Sequence, residues 1–249
     1  MISSCTLPEN GPVWSDEFNY EGVPDSEKWS LIIGNGCPDL CGFGNNELQY
    51  YTSNDENVFV EDGRLVIRAV QFEEPERRYT SAKLVSKEKG DWTYGTIEAR
   101  AKLPTGRGTW AAIWMMPSIE DVRWPNDGEI DIMEHVGYQE GWVHGAIHTE
   151  NFNGMIGNQV VDSVFVDNAI DDFHVYSLEW DKESIVWKVD GNVFNEFEKN
   201  GQQEDAWPFD KPFHLILNIA VGGNWGAKYG IDDSIWPQEM EIDYIRVYQ

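Results

Sequence analysis

The chain is poor in cations. Its 249 residues hold 18 Lys and Arg against 44 Asp and Glu, a formal charge of −26 at pH 7. A surface of that sign repels phosphate backbones, which argues against nucleic acid as a partner and disfavours anionic polysaccharides. A neutral or cationic ligand fits it better, although acid also serves simply to keep a protein soluble. There is no run of 18 apolar residues, so no membrane-spanning helix is expected. Cysteine is scarce, at three, and no His/Cys set has zinc-ligand spacing. Internal repeats, low-complexity tracts and interdomain linkers are missing as well, so a single domain over residues 1–249, acting as a monomer, is expected. No segment carries a sustained 3.6-residue apolar stripe, which leaves little room for helix.

Two of the cysteines, Cys37 and Cys41, lie four apart in a Gly/Pro/Asp loop, placed to close a small disulfide in an oxidising compartment; two free thiols are the alternative. The third, Cys5, follows Ile2-Ser3-Ser4 in the manner of a bacterial lipoprotein processing site, without the hydrophobic stretch that should precede it. The expected location is outside the cell or at its surface.

What the chain has in excess is tryptophan, twelve residues. A buried indole needs a partner for its N–H, so a core rarely holds so many. Flat aromatic faces lining a groove suit sugar rings, and about half of the twelve are assigned to that use, the rest to the core. The second excess is period-two alternation. NVFVEDGRLVIRAV (57–70) reads as two strands joined by Asp62-Gly63, and SIVWKVDGNVFNEF (184–197) repeats the design around Asp190-Gly191, both pairs suited to a turn with positive φ. YGTIEARAKL, HVYSLEW, FHLILNIAV and MEIDYIRVY add further strands. Many short strands at such spacing predict an all-β sandwich whose last strand docks onto its first.

One strand carries the chemistry. In GEIDIMEHVG (128–137), Glu129 and Asp131 share a face while Ile130 and Ile132 point to the core. Glu134 is out of phase by one residue, and a β-bulge around Met133 would return it to the acidic face. Glu129 and Glu134 then stand about four strand steps apart, roughly 13 Å at the backbone, and inward-leaning side chains close that to about 5–6 Å, the range of a retaining glycosidase. Asp131 between them adds like charge, which helps keep a neighbour protonated. An exposed acidic strand and a calcium site are the competing readings of these carboxylates. In GTWAAIWMM, Trp110 and Trp114 share a face and form either a sugar platform or core packing. His144 and His148 share a face in VHGAIHT.

These segments, with WSDEFN, GNNELQYYT, VEDGRLVIRA, YGTIEARAKLPTGRGTWAAIWMMP, LILNIAVGGNWG and IDYIRVYQ, resemble glycoside hydrolase family 16, in particular its laminarinase-type endo-β-1,3-glucanases. The resemblance implies a β-jelly roll of two antiparallel sheets with an open concave cleft, and hydrolysis that retains the anomeric configuration. It implies Glu129 as nucleophile, Glu134 as acid/base and Asp131 as the assisting carboxylate, with Met133 as the extra residue of the bulged motif. Trp124 matches a sugar-stacking position, and Asn46, His148 and Trp225 match cleft positions. It further implies no catalytic cofactor, and a structural calcium on Glu17, the Gly63 carbonyl and Asp243. Lys83 stands where many relatives have Arg, replacing a forked donor by a point charge. The expected activity is endo-hydrolysis of a neutral, laminarin-like β-glucan. Hydrolysis of mixed-linkage glucan or agar on the same fold, and non-catalytic β-glucan recognition, are the alternatives; recognition proteins usually lack the catalytic glutamates present here.

Overall fold

The alternating segments form strands throughout a computed structural model that describes residues 11–72, 78–201 and 203–249. Cys5 lies outside the described residues. In chain order the strands are β1 (Trp14–Asp16), β2 (Ser30–Leu31), β3 (Gln49–Tyr51), β4 (Val58–Glu61), β5 (Arg64–Gln71), β6 (Tyr79–Ser81), β7 (Lys83–Val85), β8 (Asp91–Trp92) and β9 (Gly95–Lys102). They continue with β10 (Thr109–Pro117), β11 (Glu129–Val136), β12 (Trp142–His148), β13 (Val160–Phe165), β14 (His174–Trp180), β15 (Ser184–Val189), β16 (Asn192–Glu198), β17 (Phe213–Val221) and β18 (Gln238–Tyr248). A single α-helical turn, Gly223–Gly226, follows β17.

Two sheets result. The first runs β16-β15-β14-β9-β18-β5-β6-β3, with β1 also on β18 and β4 on β5; the second runs β13-β12-β11-β10-β17-β7-β2, with β8 on β17. Pairing is antiparallel except between β3 and β6. The two Asp-Gly turns behave as their chemistry demands: Asp62, Gly63, Asp190 and Gly191 all take positive φ, and each pair joins adjacent strands. The last strand does meet the first, with Trp14 opposite Val247.

The core lies between the sheets. Ile97, Ala99 and Ala101 of β9 and Ile242, Ile245 and Val247 of β18 share one buried cluster with Ile113 and Met115 of β10, Ile130, Ile132 and Met133 of β11, and Leu215, Leu217 and Ile219 of β17. A fully buried side chain of this size contributes about 1.5–3 kcal/mol. The core face of β11 thus anchors a strand whose other face carries three acids. Cys37 and Cys41 are bridged. Their loop is fastened to the segment after β17: Glu47 bridges to Gly222, and Asn224 N–H donates to the Asn45 carbonyl at 2.7 Å.

Candidate active site

The bulge expected around Met133 is present and sets the site. Asp131 pairs with Ala146 and Glu134 with His144, so Ile132 and Met133 together face Gly145 of β12. Both extra-phase side chains are buried in the core, and Glu134 returns to the face of Glu129 and Asp131. A bulge leaves ladder groups unpaired, and here the other sheet supplies the missing partner. Trp187 of β15 reaches across the core and donates its indole N–H to the Asp131 carbonyl at 2.7 Å. Gly145 makes room for it, because a Cβ there would stand 2.5 Å from the Trp187 ring. Asn195 donates to the Gly145 carbonyl at 2.9 Å and ties the same point to β16.

Direct cross-strand pairing puts opposed residues on one face, which defines the surface around the acids. Trp110, Ala112 and Trp114 of β10 share it with Val136, Glu134 and Asp131. Ala220, Asn218 and Ile216 of β17 extend it on one side, and His144, Ala146 and His148 of β12 on the other.

Each glutamate has its own tryptophan. Trp124 Nε1 donates to Glu129 Oε2 at 2.8 Å, and Trp110 Nε1 donates to Glu134 Oε1 at 3.0 Å. The Trp110 ring also meets Trp225 edge to face at 5.6 Å, and Trp225 in turn packs on His144 at 5.0 Å. His148 lies beside the other two acids, its Nε2 3.3 Å from Asp131 Oδ2 and 3.8 Å from Glu129 Oε1. Its Nδ1 accepts the Gly154 N–H at 3.2 Å, so in the neutral ring the proton sits on Nε2, facing the carboxylates. The Asp131 contact is close but out of line, and Asp131 Oδ2 is buried without a hydrogen bond.

Burial dominates the protonation of this cluster. The carboxyls of Glu129, Asp131 and Glu134 are each pushed up to about 8, chiefly by desolvation. The Asp131 charge pushes both glutamates further in the same direction, while His148 and then the tryptophan donors pull them back. Three such groups titrate as one unit and do not ionise together at neutral pH. The cluster therefore keeps a proton that an acid catalyst can give away.

The other expected positions surround this centre. Trp114 donates to Asn218 Oδ1 at 2.7 Å, and its ring lies 4.7 Å from Lys83 Nζ, with Phe43 on another side of the ammonium at 4.9 Å. Burial lowers the Lys83 pKa, opposed by the charges of Glu47 and Glu129. Asn46 sits at positive φ with its amide on Asn224 Oδ1 at 2.7 Å, next to the turn that carries Trp225. Sequence reasoning passed over Asn218, Phe43, Glu47 and Gly154. Asn218 had a signal, as the lone amide inside the apolar run FHLILNIAV. The others had none, since a distant segment gives each its role.

Two places bear on metals. Glu129, Asp131 and His148 offer ligand atoms within 4.8 Å of one another. The positions implied for calcium belong to the first sheet, away from the acids. Register brings them to the middle of β18: Asp16 pairs with Ile245, Leu65 pairs with Ile242, and Asp243 falls in a register shift between Ile242 and Tyr244. Oxygen donors of this type suit calcium. In this structure Arg246 grips the Glu17 carboxylate through both oxygens, at 2.9 and 2.7 Å, and Arg100 holds Asp243 at 2.6 Å.

Comparison with known proteins bears on the family and the fold. The chain is 48% identical over 246 residues to a beta-glucanase of Rhodothermus marinus, spanning 95% of this chain and 84% of that protein. It superposes on the crystal structure of the laminarinase from Rhodothermus marinus with a TM-score of 0.91 at 47% identity, covering 96% of this chain and 97% of the other. A non-specific endo-beta-1,3(4)-glucanase, SCLam, gives a TM-score of 0.90 at 42% identity, with 98% and 93% covered. The sequence model of Glycosyl hydrolases family 16 matches residues 45–246, and the chain belongs to that family.

Proposed function

We propose that this protein is an endo-acting, retaining β-1,3-glucanase that works on laminarin-like glucan. The observation that carries the reading is the pair Glu129 and Glu134 on one face of one bulged strand, each held by its own indole N–H. The names of the relatives supply the substrate class.

The reaction needs only these groups and water. Ionised Glu129 attacks C1 of a glucosyl unit while protonated Glu134 gives its proton to the departing oxygen, so the bond to the leaving chain breaks as the ester to Glu129 forms. Glu134, now ionised, takes a proton from water, whose oxygen attacks C1 and releases Glu129. Asp131 sets the protonation of both by its charge, and His148 Nε2–H faces the side of the cluster from which a proton would otherwise be drawn. Two inversions leave the β configuration in the product.

Similarity to a non-specific 1,3(4)-glucanase favours a second reading, in which mixed-linkage glucan is also cut. Digestion of laminarin, lichenan, agarose and carrageenan separates the possibilities. Laminarin should give a mixture of oligosaccharides from the first minutes, with β-hemiacetal appearing first by NMR. Glucose as the sole early product would refute endo-action, and an initial α-anomer would refute retention.

Two further readings accompany the catalytic one. Glu17, the Gly63 carbonyl and Asp243 would hold a structural calcium in exchange for the Arg246 and Arg100 partners of the two carboxylates, cross-linking three segments at the middle of β18. Chelation should then lower the melting temperature while turnover at low temperature persists. The Cys37–Cys41 bridge supports a location outside the reducing cytosol.

A further inference from the structure

The twelve tryptophans sort cleanly. Trp29, Trp92, Trp180, Trp187 and Trp207 are buried, and Trp14 and Trp236 pack against the core. Trp110, Trp114, Trp124 and Trp225 surround the acids. One remains, Trp142, and it is 42% exposed.

Its place in the sheet is informative. Trp142 lies two residues before His144 on β12, and His144 is the direct partner of Glu134. Its side chain therefore stands on the same face as the acids. The residue directly opposite Trp142 on β13 is Phe165, 56% exposed. The two rings meet at 5.8 Å and 62°, an edge-to-face pair. Val161, also exposed, lies on the same face of β13 four residues before Phe165. Solvent exposure of a tryptophan and a phenylalanine side by side on the two outermost strands of the sheet is costly, and the core gains nothing from them.

We infer that Trp142 and Phe165 form an outlying sugar-binding platform that continues the site across β12 and β13 and holds the leaving-chain side of the glucan. This rests on the glucanase reading above. The occupant follows from continuity and charge. The platform shares a face with Glu134, the group that hands its proton to the leaving oxygen. Two residues of strand, about 7 Å, separate Trp142 from the partner of Glu134, a distance that one or two sugar units span. The chain is acidic overall, which favours a neutral ligand with an apolar ring face over a phosphorylated or sulfated one. A flat, exposed indole braced edge-on by a second ring presents such a face.

The test compares two substrates in one enzyme. Laminarin places sugars on the leaving side of the cut, whereas a nitrophenyl β-1,3-glucooligosaccharide places only the nitrophenyl group there. The ratio of kcat/KM for laminarin to that for the nitrophenyl substrate should fall about tenfold in Trp142→Ala, equivalent to about 1.4 kcal/mol. Phe165→Ala should lower it less, and Trp142→Phe should restore most of it. Transfer of glucosyl units to added laminaribiose should fall in step, since the acceptor occupies the same side. Thermal melting of each variant shows whether it is folded, and the ratio cancels any loss of active enzyme. An unchanged ratio in folded Trp142→Ala overturns the platform. A change of oligomeric state with an unchanged ratio assigns the patch to self-association instead. Failure of the unaltered protein to cut laminarin refutes the glucanase reading itself, a distinct outcome.

Discussion

Two groups of acids, one on each sheet, are handled in opposite ways. In the first, carboxylates stand beside cations: Glu17 with Arg246, Asp243 with Arg100, Glu239 with Arg68, Glu241 with Arg64 and Lys102, Glu179 with Lys188. The Glu17 carboxyl is held below its ordinary pKa, first by its hydrogen bonds from Arg246. In the second, Glu129 and Asp131 have only His148 at ion-pair distance, and Glu134 has no such neighbour among the described residues. Burial pushes all three up to about 8. A carboxylate can be neutralised by a guanidinium or by keeping its proton, and only the second choice leaves an acid to use. The difference separates a wall from a machine built of the same side chain.

The largest effect should come from the site itself. Glu129→Ser should abolish hydrolysis of every glucan, because no ester to the enzyme can form. Glu134→Ala should cost about 10²–10⁴-fold on laminarin, the usual worth of a general acid, and far less on aryl glycosides whose leaving groups need no proton. Azide should revive Glu134→Ala and yield a β-glycosyl azide, while with the Glu129 variant it should yield the α-product. Reversed anomers, read by NMR, would exchange the two roles.

Next in size is the support beneath the site. Gly145→Ala drives a Cβ into the Trp187 ring, overpacking that should cost about 1–3 kcal/mol. Trp187→Phe removes the donor to the Asp131 carbonyl and loosens the bulge. Both should lower kcat on laminarin as well as the melting temperature. Full activity in folded Trp187→Phe would show that the bulge holds its shape without that bond.

A smaller effect, of opposite sign in the two sheets, concerns pH. Glu129, with a carboxyl raised from 4.5 to about 8, binds more proton folded than unfolded across that window. Stability therefore falls as pH rises from about 4.5 to about 8 and stays reduced above it. Glu129→Gln should melt higher than the unaltered protein at pH 8, and the gain should shrink to nothing by pH 4. Glu17→Gln should behave conversely: its carboxyl is lowered, so the stability it lends exists above the ordinary carboxylate range and fades as pH drops through the folded value. Melting curves at pH 4, 6 and 8 check both. The smallest effect belongs to Arg246→Ala. Its pair with Glu17 is about a third exposed, and its loss should cost at most about 1 kcal/mol.

These contrasts also mark what could be read from residue order. Alternation and the Asp-Gly pairs located the hairpins, because strand period and turn conformation are local properties. The phase slip of Glu134 announced the bulge for the same reason. Nothing local told that Trp187 would cap the bulge from 56 residues away, that arginines would take Glu17 and Asp243, or that Trp142 would find Phe165 across a strand pair. Those depend on which strands become neighbours, and neighbours in a sandwich are chosen by the whole chain. Trp110 shows the intermediate case. Its face was legible, but its bond to Glu134 was not.

The position of β18 has a consequence for how the molecule comes into being. That strand lies inside the first sheet, with β9 along one side and β1 and β5 along the other. A ribosome delivers it after the other strands of both sheets. Until then β5 and β9 have unpaired edges and the core under Ile242, Ile245 and Val247 is open. Pairing of Trp14 with Val247 must wait for β18 to emerge, so the first sheet closes only after synthesis has passed it, and the slow search typical of long-range β pairing begins there. Until that moment the half-built sheet offers its open edges to any other chain nearby.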